Sequence, residues 1–171
     1  MTRRLIGAGA LAGIVVAFAA LAAGCGGTGT ASAANAALQR QADLYQISQI
    51  EVKFHRATST QNLKLMMSLF APGAVFNVDQ KTLTGKAQIR DWFATENKAF
   101  LPGNHWESDT PSYKLRATVN GDKGTLYFEC HYIDPKTQQV VAFVGVQHQV
   151  QKINGNWLIT NSAASPAVLS P

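Results

Sequence analysis

The chain has 171 residues, a length that favours one domain with short appendages. Its net charge of +5 falls to +3 when a leader containing Arg3 and Arg4 is set aside, and the remaining basic residues are dispersed. Because nucleic-acid-binding domains carry clustered basic residues, this composition gives little support for such a partner, and no nucleic acid is expected.

Residues 1–24 have the composition of an export signal. Met1–Arg4 is basic, and Leu5–Ala23 is uncharged and rich in Ala, Gly and Leu. The Ala-Ala-Gly sequence before Cys25 resembles the lipobox of bacterial lipoproteins, whose cysteine is acylated and becomes the new N-terminus. We therefore predict an exported protein that is anchored to the cell membrane by lipidation of Cys25. Secretion after cleavage at Ala33, which ends an Ala-Ser-Ala signal-peptidase site, is the alternative.

The chain after the leader begins with a predicted flexible tether, residues 25–40, and continues into helices. Small residues dominate the start of the tether and offer no apolar face. Apolar residues at three- and four-residue spacing predict a first helix with the buried stripe Leu44, Ile47, Ile50, Phe54 and Ala57. A cap at Asn62 predicts a second helix, Leu63–Phe70. A third helix opens at Thr84-Gly85 and buries Ile89, Trp92, Phe93 and Phe100.

Strands make up the rest of the predicted fold. Ala74–Val78 precedes the third helix, and an antiparallel meander follows it: Tyr113–Val119, Thr125–Asp134, Val140–Lys152 and Trp157–Asn161. Gly-Asp and Asn-Gly turns between strands rich in β-branched and aromatic residues are a strong hairpin signal. Alternation gives the sheet one mostly apolar face, which the helices must cover. We predict an α+β fold with three N-terminal helices packed on a curved antiparallel sheet. The domain spans residues 41–161, and residues 162–171 form a C-terminal tail.

Several short motifs occur in an order and at a spacing that are specific together. They are Leu69-Phe70-Ala71, Ala74-Val75-Phe76, Gly85-Lys86, Asn120-Gly121-Asp122 and Asn154-Gly155-Asn156-Trp157. In these motifs the chain resembles the nuclear transport factor 2-like superfamily, and within it the SnoaL-like branch. The resemblance implies a cone-shaped fold, and many members of this fold dimerise through the sheet, so a homodimer is a candidate assembly. It leaves the activity open, because the family includes isomerases, dehydratases, cyclases, hydrolases and non-catalytic binding domains.

The resemblance also indicates where a catalytic base would lie. Enzymes of this family often place an aspartate between the first two helices, and the corresponding residue here is Ser59. The frequent second acid of the family corresponds to Asn62. A serine hydroxyl cannot replace a carboxylate base without a partner that activates it, so this departure counts against acid–base catalysis.

Three other side chains are candidates for acid–base chemistry. His148 alternates with valines on the face expected to look inward. Tyr132, on the same face of its own strand, is a candidate donor to a ligand oxygen. The resemblance adds His105, which matches a cavity histidine of dehydratases in the family. No metal-ligand spacing and no phosphate loop occurs in the sequence, so neither a metal nor a cofactor is expected.

Three further residues receive less prominent interpretations. His55 lies one helical turn after Glu51 and is predicted to form a solvated pair with it. Cys130 is predicted to be a small buried hydrophobic residue. His131, on the opposite face of the same strand, is expected on the convex side of the sheet or at a subunit interface.

We therefore expect an exported, lipid-anchored SnoaL-like domain that binds a small hydrophobic molecule or an envelope protein in an apolar cavity without catalysing a reaction. The alternative is a small-molecule enzyme, of the isomerase, dehydratase or hydrolase type, acting in the same cavity. The cavity wall is predicted to consist of Phe54, Trp92, Phe93, Leu126, Phe128, Cys130, Tyr132, Val144, Val146, His148 and Trp157.

Overall fold

A computed structural model describes residues 28–108 and 112–166 of the protein. Its helices are α1 (Thr28–Ser59), α2 (Leu63–Ser68) and α3 (Gly85–Thr95), followed by a 3-10 turn, Lys98–Phe100. Its strands are β1 (Phe70–Val78), β2 (Lys81–Thr84), β3 (Glu107–Ser108), β4 (Tyr113–Asn120), β5 (Lys123–Asp134), β6 (Gln139–Ile153) and β7 (Asn156–Pro166).

One sheet contains all of these strands, in the order β2-β1-β7-β6-β5. Beyond β5, strand β4 pairs with its first half and β3 with its second half. The predicted meander of β4 to β7 is confirmed, and so is the α+β class. The expectation of a purely antiparallel sheet is wrong in one pairing, because β1 runs parallel to β7 and the sheet is therefore mixed. The chain between β1 and β7 runs through β2, α3 and strands β3 to β6, which is far longer than the connection that a parallel pair requires.

The core lies between the helices and the inner face of this sheet. Ile47, Ile50, Phe54 and Ala57 of α1 are buried, as their spacing predicts, whereas Leu44 at the start of the predicted stripe is half-buried. On β5, the inward face is also the predicted one: Leu126, Phe128 and Cys130 are fully buried, and Tyr132 nearly so. The rings of Phe54 and Phe128 meet edge to face with their centroids 5.5 Å apart, which joins α1 directly to the middle of the sheet.

Three predicted boundaries need correction. Helix α1 begins at Thr28, so most of the predicted tether, residues 25–40, is helical; its many alanines favour a helix even though side chains 31–42 are exposed. Strand β7 continues to Pro166 into the predicted tail, because the long strand β6 supplies partners as far as Val144. Helix α2 ends at Ser68 and not at Phe70, because Phe70 already belongs to β1. In addition, the short strand β2 was not predicted from the sequence.

A buried carboxylate fastens the exposed part of α1 to the sheet. Asp43 Oδ1 accepts hydrogen bonds from Lys152 Nζ at 2.7 Å and from Trp157 Nε1 at 3.0 Å. Its other oxygen, Oδ2, accepts a hydrogen bond from Gln39 at 3.1 Å. The bonds from Lys152 and Trp157 hold the pKa of Asp43 below its ordinary value, although burial acts in the opposite direction.

This carboxylate makes a testable contribution to stability. Asp43→Asn is expected to lower the free energy of unfolding at neutral pH by about 2 kcal/mol, because it removes the charge that Lys152 and Trp157 bind. The pKa of Asp43 is lower in the folded chain than in the unfolded chain, where it is about 3.9. The charged form of Asp43 therefore stabilises the fold at any pH above that unfolded pKa. That contribution is lost as the pH falls through the folded pKa.

Urea denaturation at a series of pH values measures the effect. The difference in the free energy of unfolding between wild type and Asp43→Asn should shrink as the pH is lowered below about 4, which is close to the pKa of an aspartate in the unfolded chain. Asp91→Asn is a matched control, because the Asp91 side chain is 72% exposed. A difference that is the same at every pH would contradict the assignment.

Candidate functional site

A cavity of about 290 Å³ opens at one end of the sheet. Its wall contains seven aromatic residues from helices α1 and α3, strands β1, β5 and β6 and the connection before β3: Phe54, Phe76, Trp92, Phe93, Trp106, Tyr132 and Phe143. Small aliphatic residues complete the apolar part: Val78, Ala99, Ala142, Val144, Val146 and Ala164. Polar residues, Asp79, Glu96, Asn97, Lys98 and Ser165, also line the cavity, and Asp79, Glu96 and Lys98 are exposed. The site is thus an apolar chamber with a polar border.

Six of the eleven predicted wall residues line this cavity: Phe54, Trp92, Phe93, Tyr132, Val144 and Val146. The other five described residues do not: Leu126, Phe128, Cys130, His148 and Trp157. They share the inward face of the sheet but lie farther along the strands, where α1 packs against them. Alternation along a strand predicts the face of a residue and not its distance from the open end, which explains the division.

His148 faces the interior, but it is not part of the cavity wall. The ring is fully buried, with centroids 5.4 Å from that of Phe128 and 6.0 Å from that of Phe54. Neither ring nitrogen has a hydrogen-bond partner among the residues that the structure describes. Burial lowers the pKa of His148 to about 3, so the imidazole is neutral. His148 therefore places no proton donor or acceptor in the cavity wall.

The other two catalytic candidates do not complete an acid–base pair with His148. Burial raises the pKa of Tyr132 well above its ordinary value, and the charge of Cys130 beside it acts in the same direction. The phenol therefore stays protonated in the cavity wall, and its hydroxyl has a side-chain hydrogen bond with Thr58. His105 is exposed in the connection between the 3-10 turn and β3, and it does not line the cavity.

The residue at the family's base position has a structural role. Ser59 Oγ accepts a hydrogen bond from the Ser108 N–H at 2.9 Å and lies 3.4 Å from the Ser108 carbonyl oxygen. These contacts hold the short strand β3 against the end of α1. Asn62 caps α2, with its Oδ1 accepting from the N–H of Leu65 at 2.9 Å, so the predicted cap is confirmed.

A buried polar cluster lies behind the cavity, and the sequence interpretation missed it. His55 and Glu51 are 0% and 3% exposed, so the prediction of a solvated pair is wrong. His55 Nδ1 lies 3.1 Å from Glu51 Oε1, and His55 Nε2 lies 3.1 Å from Cys130 Sγ. Ser112 donates its hydroxyl to the same Glu51 oxygen at 2.6 Å. The four-residue spacing of Glu51 and His55 was visible, but nothing in the sequence shows that this side of α1 packs against β5.

His131 lies on the other face of β5, as predicted. Its ring is half-buried and meets the ring of Phe143 on β6, with centroids 4.9 Å apart. In residues 28–108 and 112–166 no group of three or more His, Cys, Asp and Glu side chains could hold a metal ion. No helix in those ranges is both long and apolar enough to cross a membrane. Cys25, the predicted lipidation site, lies outside the described residues.

The model of the SnoaL-like domain family matches residues 52–157, which include most of the cavity wall and, of the polar cluster, His55, Ser112 and Cys130 but not Glu51. The chain belongs to this family. The resemblance seen in the motifs is thereby confirmed at the family level. No curated protein matches the sequence.

Solved structures of nuclear transport factor 2-like proteins share the fold. A protein with a cystatin-like fold from Novosphingobium aromaticivorans has a TM-score of 0.68 at 13% identity over 86% of this chain and 94% of that chain. A proposed dehydratase from Streptomyces avermitilis has a TM-score of 0.61 at 12% identity over 76% and 99%. A proposed ketosteroid isomerase from Shewanella frigidimarina has a TM-score of 0.57 at 16% identity over 70% and 94%. Such low identities establish a common fold and no common activity.

The buried ring of His148 gives a prediction that NMR can check. Its signals should not titrate between pH 8 and about 4.5, because desolvation disfavours the imidazolium. Since the unfolded chain takes up a proton here below a pH of about 6.5 and the folded chain does not, His148 lowers stability as the pH falls. The loss approaches about 1.4 kcal/mol per pH unit.

Replacement of His148 tests the same link. His148→Phe should remove this part of the pH dependence of the free energy of unfolding, while His105→Phe, at an exposed position, should leave it in place. A His148 ring that titrates near its ordinary value would show that it is open to solvent.

Proposed function

We propose that this SnoaL-like domain binds a small, mostly apolar molecule that contains one or two rings. The observation that carries the proposal is the enclosure of the cavity by seven aromatic residues, with the Asp, Glu and Lys side chains confined to its border. Aromatic walls bury flat apolar molecules well and favour offset or edge-to-face contacts with their rings. A volume of about 290 Å³ lies at the small end of ligand sites in proteins and is about twice that of a cavity that holds benzene.

Trp92 in the wall indicates that the ligand carries a hydrogen-bond acceptor. Trp92 is 7% exposed, and its indole N–H has no hydrogen-bond partner within the described part of the chain. An unpaired buried donor costs free energy, which an acceptor on the ligand would recover. Tyr132 also has a protonated hydroxyl in the wall, but that hydroxyl already has a side-chain hydrogen bond with Thr58. A ketone or a similar polar oxygen on an otherwise apolar ring system would fit beside Trp92.

The polar border supports binding rather than acid–base chemistry. Asp79, Glu96 and Lys98 are exposed, and Glu96 already forms an ion pair with Lys81. General acid–base catalysis needs an ionisable group within hydrogen-bond reach of the reacting atom, and it benefits from a pKa near the working pH. The buried neutral His148 and the protonated Tyr132 do not supply such a group.

Fluorescence titration with 1-tetralone, a two-ring ketone, tests the proposal, because Trp92 and Trp106 line the site and report on its contents. We expect saturable binding to the wild type. Ala164→Phe should abolish it by filling the cavity. Ala163→Phe on the same strand is the matched control and should bind normally, since Ala163 is exposed.

The acceptor is tested by comparing 1-tetralone with tetralin, the same ring system without the carbonyl oxygen. The wild type should prefer 1-tetralone by roughly five- to tenfold, the equivalent of one net hydrogen bond. Trp92→Phe should reduce that preference and leave the affinity for tetralin nearly unchanged. Binding that Ala164→Phe does not affect would place the ligand elsewhere and overturn the proposal.

We also propose that the protein is exported and lipid-anchored through Cys25. The support is the basic start, the uncharged apolar segment and the Gly-Cys pair at residues 24 and 25. Several acyl chains on one residue would anchor a protein stably, whereas one chain would not.

Intact mass measurement of the protein produced in a bacterial host tests the proposed lipid anchor. The mature chain should begin at Cys25 and carry acyl chains, and Cys25→Ala should move the protein from the membrane fraction to the soluble fraction. An unacylated mature chain that begins at Ala34 would establish secretion instead.

A further inference from the structure

Cys130 lies in an arrangement that is unusual for a buried structural thiol. Its Sγ is 3.1 Å from Nε2 of His55, and Nδ1 of the same ring is 3.1 Å from Oε1 of Glu51. All three side chains are at least 97% buried. A nucleophile, a base in contact with it and a third group that orients the base are the parts of an activated nucleophile.

The hydrogen bonds of the cluster set the tautomer of His55. Glu51 Oε1 accepts from both the hydroxyl and the N–H of Ser112, at 2.6 and 3.2 Å. Because this oxygen accepts those two hydrogens, the ring nitrogen 3.1 Å from it, Nδ1, is placed as a further donor and carries a proton. Nε2 of the neutral ring then presents its lone pair to the Cys130 thiol. The base and the nucleophile are therefore in the correct relative state before any reaction.

Ser112 also favours transfer of the thiol proton to the ring. Its Oγ lies 3.2 Å from His55 Nε2, but its own hydrogen is donated to Glu51. The hydroxyl can therefore offer only a lone pair to Nε2, which suits a protonated nitrogen. After transfer, the Nε2 proton faces both the thiolate and the Ser112 oxygen, and Glu51 stabilises the imidazolium from the other side.

We propose that Cys130 is an activated thiol that is modified by small, uncharged electrophiles of the α,β-unsaturated carbonyl class, with His55 as base and Glu51 as positioning residue. The buried, mostly apolar surroundings exclude charged or bulky reagents. The proposal does not rest on ligand binding in the cavity, although Cys130 lies two residues before Tyr132 and opposite Val144, which both line it.

The reaction conserves all atoms and needs no other reagent. The thiol proton moves from Sγ to Nε2, and the sulfur forms a bond to the β-carbon of the electrophile. The π electrons of the carbon–carbon double bond move toward the carbonyl group and form an enolate. The Nε2 proton then passes to the α-carbon, so the net change is addition of S–H across the double bond and His55 is returned to its neutral form.

The test uses the full chain with Cys25→Ala, which leaves Cys130 as its single thiol, since the sequence has two cysteines. Methyl vinyl ketone is the probe, and intact and peptide masses follow the adduct between pH 6 and pH 8.5. An ordinary thiol ionises near pH 8.5, so the rate for the urea-unfolded chain should fall about 150-fold over this range. For the folded chain we expect a fall of less than about tenfold, because the thiolate–imidazolium pair persists at the lower pH.

Variants separate activation from simple burial. His55→Gln and Glu51→Gln should each restore a steep pH dependence, His105→Gln should retain the shallow one, and Cys130→Ser should give no adduct. The difference in ultraviolet absorbance between the Cys25→Ala chain and the same chain with Cys130→Ser detects the thiolate without any reagent, so it remains informative if the His55 variant fails to fold. It should show ionisation well below the pH of about 8.5 at which an ordinary thiol ionises.

Several results would overturn the proposal. They are a folded chain that forms no adduct, a pH profile that matches the unfolded chain, and a profile that His55→Gln leaves unchanged. Thiolate absorbance that appears only at a pH of about 8.5 or above, where an ordinary thiol ionises, would also overturn the proposal.

Discussion

Phe54 lies where α1 meets the inner face of the sheet, and most of the architecture depends on its contacts. Its ring centroid is 5.5 Å from that of Phe128 and 6.3 Å from that of Phe93, so one side chain joins α1 to β5 and to α3. The same side chain forms part of the cavity wall. Burial of such rings supplies much of the free energy that holds a small domain together, and here it also sets where α1 rests along the strands.

The seating of α1 creates two different environments on one helix. Phe54 lines the cavity, while the next residue, His55, contacts Cys130. Glu51, one helical turn before His55, contacts the other side of the His55 ring. The cavity has a mostly apolar wall. In the polar cluster, the His55 imidazole contacts a carboxylate through one nitrogen and a thiol through the other, which suits proton transfer. Because an apolar interior penalises isolated charges, such a transfer is favoured only between groups that already touch.

Local patterns predict this fold well because the strands alternate and the turns between them carry Gly-Asp and Asn-Gly. The burial of Phe128 and the cap at Asn62 follow from such patterns, and both are confirmed. What could not be predicted depends on contacts between elements far apart in sequence. The pairing of β1 with β7, the distance of His148 from the cavity and the contact between His55 and Cys130 are all of this kind. The contact between His55 and Cys130 depends on how α1 is rotated about its axis against the sheet, which the sequence does not show.

The parallel pairing of β1 with β7 has a consequence for how the chain is made. Strand β7, residues 156–166, lies between β1 and β6 in the interior of the sheet. The sheet therefore cannot be completed until the last described strand has left the ribosome, since β1 has no other neighbour on that side. Pairings between distant segments form slowly, because a long loop must close before the contact stabilises it. The two central pairings of β7 therefore form only after nearly all of the described chain has been synthesised.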